Sequence, residues 1–440
     1  LCDPATFVSR LGAWWRPGRV GARGTSRLIR NNKQGEGRPG IAEAGTRGSK
    51  REEPAVSTAH RGILSSPGQP ACFAASPRWL DAGEARGRGG MKSYRLVEFG
   101  QPLQVQDLPT PAPSGREVVV RVRAAGVCHS DVHIWEGGYD LGAGRRLLLK
   151  DRGVRLPLTM GHETAGEIAA IGPDVTDRQI GEMCLVYPWI GCGTCKVCRS
   201  GFENLCLKPN CVGVHCDGGY SDHVVVKDAK YVLPIGDLDP VVVAPFACSG
   251  LTVYSSLKKF GARLADETVL IIGAGGLGLM AITILKAMGG RGAVAVDIDA
   301  DRREAALAAG ALGAVDGAAP DALAQIAAAI GGPCLCAVDL VGSPATAELG
   351  FNALTRGGKL VMVGLFGGSA PWPLPLIPMK AVTIEGNYTG NLAELGELLD
   401  LVRRGLVPPI PIGRRPMTRA TETLDDLHHG RIVGRVVMTP

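Results

Sequence analysis

The chain has 440 residues, 45% of them hydrophobic, with 62 glycines and a formal charge of +6. That length and apolar content exclude a disordered chain and allow two domains with sizeable cores. The charge does not mark an acidic partner, because residues 1–90 hold 15 Lys and Arg against 7 Asp and Glu, leaving 33 against 35 in the remainder.

Residues 1–90 are rich in Arg, Gly, Ser, Pro and Ala and show no sustained period of 2 or 3.6. A transit segment, a nucleic-acid-binding arm, a disordered tail and translated upstream sequence ahead of Met91 compete as readings. The last is adopted, because strand patterning begins abruptly after Met91 and Glu52-Glu53 suits neither of the first two. Of the thirteen cysteines, four form one short cluster and two more lie near lone histidines. That usage points to metal ligation in a reducing compartment, with the cytoplasm as default.

Strands are predicted at Ser93–Phe99 and Glu117–Ala124, the latter with alternating Val and Arg. Next comes the stretch Gly126-Val127-Cys128-His129-Ser130-Asp131-Val132-His133, closed by Gly161-His162-Glu163. A thiol, an imidazole and carboxylates supply half of a metal site, and the hydroxyl and second imidazole beside Cys128 suit proton transfer. Strands follow at Gly166–Ile171 and Met183–Tyr187.

Cys192, Cys195, Cys198 and Cys206 have the spacing C-x2-C-x2-C-x7-C. Four thiolates surround one Zn²⁺ tetrahedrally and leave no position for substrate, so this site is structural; unligated cysteines and an iron–sulfur cluster are the weaker alternatives. Gly218–Val226 reads as a strand after a Gly turn. Cys248, where the chain turns into a helix, is placed to supply a third ligand to Cys128 and His162, although a Cys in so apolar a run is more often a core residue.

Thr268–Ile272 is a predicted strand, and Gly273, Gly275, Gly276, Leu277 and Gly278 lie in a G-x-G-x-x-G turn. A helix Leu279–Met288 and a strand Ala293–Val296 follow, ending at Asp297. Val269–Leu285 carries no charge, yet its four glycines argue for strand, loop and helix rather than a membrane span. Glycines admit backbone N–H groups to a pyrophosphate at a helix N-terminus, and Asp297 accepts hydrogen bonds from a ribose diol while repelling a 2′-phosphate, which favours NAD over NADP. Arg302 reads equally as a ribose contact or a solvated charge. Strands at Ala337–Val341 and Lys359–Val363 continue a parallel sheet with crossover helices, Cys334 and Cys336 packing beside it. From about Glu385 the pattern leaves the sheet for a helix Leu392–Arg404, a Pro-rich passage and a strand Ile432–Met438.

On these residues, over essentially all of 91–440, the chain resembles the zinc-dependent alcohol dehydrogenases of the medium-chain dehydrogenase/reductase superfamily. The segments around Cys128 and His162, the four-cysteine lobe and the nucleotide fingerprint with Asp297 carry the resemblance. It implies an α/β protein: a GroES-like β-rich catalytic domain (91–249, zinc lobe about 191–207), a Rossmann doubly wound parallel-sheet domain (250–384) and a C-terminal return (385–440). It implies Cys128, His162 and Cys248 as ligands of a catalytic zinc, a second, structural zinc, and NAD. Asp131 then orients the ligand histidine, and Glu163 stands behind the metal. Ser130 holds the substrate hydroxyl, and His133 ends a proton relay that passes through the nicotinamide ribose. His129 and Arg435 lie near the pyrophosphate, and Thr252, Leu277 and Leu365 near the nicotinamide. Trp135, Tyr139 and Trp189 are pocket candidates.

The implied reaction is reversible oxidation of a primary or secondary alcohol by hydride transfer to NAD. The partner is a small molecule, with no nucleic acid and no membrane, in a homo-oligomer, a tetramer rather than a dimer. Cys128 and His162 stand farther apart than in compact members, and the extra Asp140–Arg155, dense in Arg and Leu, is expected to form a loop at the substrate mouth or a subunit contact. That loop suggests an alternative, a specialised cyclic or CoA-linked alcohol or ketone. The remote alternative, a zinc-stabilised nucleic-acid-binding regulator, leaves the fingerprint and second metal set unexplained.

Overall fold

The computed structural model describes residues 90–370 and 372–440; the reading of 1–90 lies outside them except for Gly90. The first of the described strands, Gly90–Leu96, pairs antiparallel with Gln104–Pro109, a strand not predicted, and with Leu158–Thr159.

A seven-stranded sheet is built around Val118–Val127. Val118, Val120, Val122 and Ala124 are buried on one face, while Arg121 and Arg123 alternate outward, as a pleated strand with one wetted face requires. Glu163–Ile171 pairs with it antiparallel on one side and Arg435–Thr439 on the other. The last strand of the chain therefore closes the sheet opened some three hundred residues earlier. Gly166 is obligatory in this pairing, because a Cβ there would lie 2.1 Å from the backbone oxygen of Arg121.

The second sheet has six strands, all parallel, in the spatial order Gly313–Asp316, Ala293–Asp297, Val269–Ile272, Cys334–Asp339, Leu354–Met362, Thr383–Gly386. Numbered by sequence this is 3-2-1-4-5-6, the doubly wound order that places a ligand crevice beyond the carboxyl ends of the central strands. Its central strands are apolar runs without alternation, buried on both faces: all four residues of Val269–Ile272 and all five of Ala293–Asp297. Cys334 and Cys336 are inside a strand rather than beside one, and the sheet runs to Gly386, slightly past the predicted departure at Glu385.

Helix Gly276–Ala287 is apolar nearly all round because it is sandwiched between the sheet and helix Ser249–Lys258. Helix Leu392–Arg403 begins at a capping box in which the Asn391 and Glu394 side chains exchange bonds with each other's backbone N–H at 2.9 Å. It buries Leu395, Leu398, Leu399 and Val402 at helical spacing. The passage that follows contains a helix, Ala420–His428, not predicted from sequence. Among the described residues no single helix is long and apolar enough to cross a membrane.

Gly166→Ala, which drives a methyl into a backbone carbonyl on the neighbouring strand, is expected to destabilise the chain by about 1–3 kcal/mol. Urea denaturation measures this, and an unchanged midpoint would contradict the close pairing.

Candidate active site

Cys128 ends the strand Val118–Val127 and starts the helix His129–Glu136. The Asp131 carboxylate, one turn in, accepts the Cys128 N–H at 2.9 Å and so caps the helix. Its other oxygen faces His162 Nδ1 at 3.0 Å, both groups being fully buried. This contact places the imidazole proton on Nδ1 and leaves the Nε2 lone pair free. Among the described residues Nε2 is buried with no hydrogen-bond partner.

The ligand atoms of Cys128, His162, Glu163 and Cys248 lie within 4.8 Å of one another, with the two sulfurs 4.0 Å apart. The neighbouring Cys248 thiol, with His162 and Arg435, holds Cys128 well below the ordinary thiol range against the opposing effect of burial. Glu163 is already engaged: one oxygen accepts Ser249 Oγ at 2.5 Å and Ser249 N–H at 3.2 Å, and the other pairs with Arg435. Burial pushes its carboxyl up to about 7 against the pull of the Arg435 guanidinium. Two thiols and one unspent imidazole nitrogen, dry and converging, fit a Zn²⁺ ion with Glu163 behind it.

Cys192, Cys195, Cys198 and Cys206 form a second cluster, with sulfur separations of 3.4, 3.9 and 3.9 Å. A tetrahedron of sulfurs about 2.3 Å from a zinc has edges of roughly 3.8 Å, so this set also fits. Glu203, not singled out in the sequence, anchors the lobe by accepting Lys230 Nζ at 2.7 Å and the Tyr231 hydroxyl.

The glycine turn has a distinct constraint at each position. Gly273 has φ +98°; a Cβ on Gly278 would meet the Gly273 oxygen at 2.1 Å, and one on Gly276 the Arg435 side chain at 2.4 Å. At Gly275 a Cβ meets nothing within 4 Å, so this is the open face toward which a pyrophosphate can approach. The helix behind it has no side-chain cap, leaving its first N–H groups for an anion. Asp297 ends its strand, accepting Ala274 N–H at 2.8 Å and Asp299 N–H at 3.0 Å. These donors leave lone pairs for a ribose diol.

Arg435 is 4% exposed and lies between Glu163 and Gly276, joining the thiol cluster to the glycine turn. Ser130 Oγ is 3.8 Å from Cys128 Sγ, and His133 is one turn farther along the same helix. His129 and Leu365 are exposed, Leu277 is half-buried and Thr252 is buried. Arg302 donates to the Gly430 carbonyl at 3.0 Å.

The Trp189 ring centre stands 5.4 Å from that of His162, and the Tyr139 ring lies tilted against His133 with centres 4.7 Å apart. Trp135 departs from the pocket expectation: its indole donates to the Gln101 carbonyl at 2.7 Å and its ring meets His428 edge-on. The extra segment folds as a short hairpin, Gly138–Asp140 with Arg146–Leu148, whose Asp140 carbonyl accepts Gly368 N–H at 3.2 Å. Tyr388, missed in the sequence because it follows a strand of the other sheet, is edge-on to Trp189 at 5.9 Å. Ser249 was legible only as the neighbour of Cys248.

Comparison with known proteins agrees with this arrangement. Residues 114–237 match the alcohol dehydrogenase GroES-like domain family and residues 276–404 the zinc-binding dehydrogenase family. An NAD-dependent alcohol dehydrogenase of Sulfurisphaera tokodaii is 38% identical over 352 residues, covering 80% of this chain and all of the relative. An alcohol dehydrogenase of Geobacillus stearothermophilus is 34% identical over 79% of this chain and 98% of its own. The crystal structure of the alcohol dehydrogenase from Aeropyrum pernix superposes with a TM-score of 0.72 at 31% identity, covering 79% of this chain and 100% of that one. With its parallel and mixed sheets and its two cysteine-centred clusters, the chain belongs to the zinc-binding alcohol dehydrogenases of the medium-chain dehydrogenase/reductase superfamily and is an oxidoreductase.

Proposed function

We propose that this chain oxidises primary or secondary alcohols reversibly to aldehydes or ketones, with NAD as hydride acceptor and a zinc ion held by Cys128, His162 and Cys248. The observation that carries the reading is the unpartnered Nε2 of His162, buried beside two thiols. An orphaned polar atom in a dry site costs about 1–3 kcal/mol, which a cation accepting its lone pair removes. When bound, the ion supplies Lewis acidity that labilises the alcohol proton near neutral pH, and the dinucleotide supplies the hydride acceptor.

The remaining work falls to the chain itself. Asp131 fixes the tautomer and orientation of His162, as outer partners of metal ligands commonly do. Ser130 holds the alcohol hydroxyl, and His133, one turn along the same helix, receives its proton at the far end of the relay. Burial lowers the His133 pKa below the ordinary imidazole value, with help from His129, so at neutral pH the ring is uncharged and able to accept that proton. The uncapped helix N-terminus at Gly276, with His129 and Arg435, receives the pyrophosphate, Asp297 receives the ribose, and Thr252, Leu277 and Leu365 meet the nicotinamide. The four-cysteine lobe holds a second, structural zinc. Residues 91–249 with 385–440 form the catalytic domain and 250–384 the nucleotide domain.

Assembly is proposed as a homotetramer. Exposed Phe366, Leu374, Leu376 and Met379, together with the strand Thr383–Gly386, which forms the edge of its sheet among the described residues, support self-association. Metal-ligating thiols suit the cytoplasm.

Cys128→Ala is expected to abolish NADH formation from alcohols, with one zinc per chain remaining by atomic absorption; full turnover would contradict the metal role. Asp131→Ala should weaken zinc binding about 10–100-fold in chelator competition. Asp297→Ala should raise KM for NAD and narrow the preference over NADP. A pH–rate profile should show an acid limb below 6.5, where the depressed His133 becomes protonated, and that limb should vanish in His133→Ala while turnover falls roughly 10²-fold.

A further inference from the structure

Around the thiol cluster, aromatic rings gather that the proposed chemistry leaves unused. The Trp189 ring lies tilted beside His162, Tyr388 meets Trp189 edge-on, and the Tyr139 ring lies tilted against His133. Burial pushes both phenols above the ordinary tyrosine range and the Cys248 thiol adds to each, so both lie within electrostatic reach of the thiol cluster. The indole N–H of Trp189 is spent on the Ala247 carbonyl at 3.1 Å. Neither phenolic hydroxyl has a hydrogen-bond partner among the described residues.

We propose that the site selects alcohols bearing a planar ring with a polar substituent remote from the carbinol, the ring lying against Trp189 and Tyr388 and the substituent bonding the Tyr139 and Tyr388 hydroxyls. This rests on the proposed oxidation at Cys128, His162 and Cys248 and narrows its substrate class. Aromatic faces and edges hold a planar ring at low conformational cost, and an unspent phenol discriminates for a substituent that completes its hydrogen bond.

The wall at Tyr388 does not stand unaided. The Tyr388 side chain is half-exposed, and a cavity of about 240 Å³ lined by Phe202, Leu205, Lys258, Tyr388 and Thr389 leaves space beside it. Its backbone is pinned instead. Asn204 Nδ2, from the four-cysteine lobe, donates to the Tyr388 carbonyl at 2.9 Å. Asn387 Nδ2 donates to the Thr252 carbonyl at 3.1 Å and the Thr389 carbonyl at 3.0 Å, while Ser255 Oγ donates to Asn387 Oδ1 at 3.3 Å. Thr389 is held at φ +50°, a strained conformation for a β-branched residue that persists only where its surroundings enforce it. Asn204 is therefore a positioning residue through which the lobe sets the pocket wall.

The test compares kcat/KM of the zinc-loaded full chain with NAD for 4-hydroxybenzyl alcohol, benzyl alcohol and 1-butanol. The wild type should rank them in that order. Tyr388→Phe, which keeps the ring, should cut the 4-hydroxybenzyl to benzyl ratio roughly tenfold, and Tyr388→Ala should cut the benzyl to butanol ratio by a similar factor. Asn204→Ala should raise KM for both ring alcohols while kcat and zinc content stay at wild-type values. No ring preference in the wild type, or ratios unmoved by the Tyr388 variants, would overturn this inference alone, and no turnover of any alcohol would overturn the proposed reaction with it. A kcat loss with loss of zinc in Asn204→Ala would show a merely structural role for that residue.

Discussion

A buried ion pair organises this molecule. Glu163 is fully buried and Arg435 nearly so, and their contact joins residues 272 positions apart. Around it the chain has little freedom. A Cβ on Gly126 would lie 2.1 Å from the Glu163 carboxylate, Ser249 bonds its other oxygen, and the Arg435 stem fills the space that a side chain on residue 276 would need. The segments carrying Cys128, His162 and Cys248 and the opening of the nucleotide-site helix are thus indexed to one contact. Such a pair is weak evidence for net stability, because desolvation offsets much of the attraction, but breaking one partner costs about 3–5 kcal/mol. Its value lies in registration: it fixes where the thiol cluster sits relative to the glycine turn.

The same logic runs outward. The closing strand Arg435–Thr439 pairs with Val118–Val127, so the residue that completes the ion pair is delivered by sheet register rather than by a loop. Asp131 does the equivalent inside the helix His129–Glu136, where one carboxylate both caps Cys128 and orients His162. Rigid backbone elements carry the chemistry-bearing groups, and few side chains serve a single purpose.

What was legible in the sequence follows from how local each signal is. The parallel sheet and its glycine turn could be read because apolar runs, glycine spacing and a terminal acid all lie within one strand–helix–strand unit, from Val269 to Asp297. The four-cysteine lobe was legible for the same reason. Cys248 was not legible on its own, since an apolar neighbourhood describes a core residue as well as a ligand, and only its resemblance to known enzymes assigned it. Trp135 read as a pocket residue because an aromatic near the reactive stretch has no visible direction; the helix turns it toward Gln101 instead. Tyr388 and Asn204 depend on contacts across more than 180 positions and leave no local pattern. The helix Ala420–His428 was hidden by the proline-rich passage before it and by an apolar face broken by acids.

The most direct test of the central claim is the anomalous scattering of crystals grown with zinc and NAD, measured across the zinc absorption edge. Two peaks per chain are expected, one at the centre of the four-cysteine lobe and one between Cys128 Sγ, His162 Nε2 and Cys248 Sγ with the nicotinamide beside it. A peak in the lobe alone, with the second trio empty or its sulfurs turned apart, would contradict it.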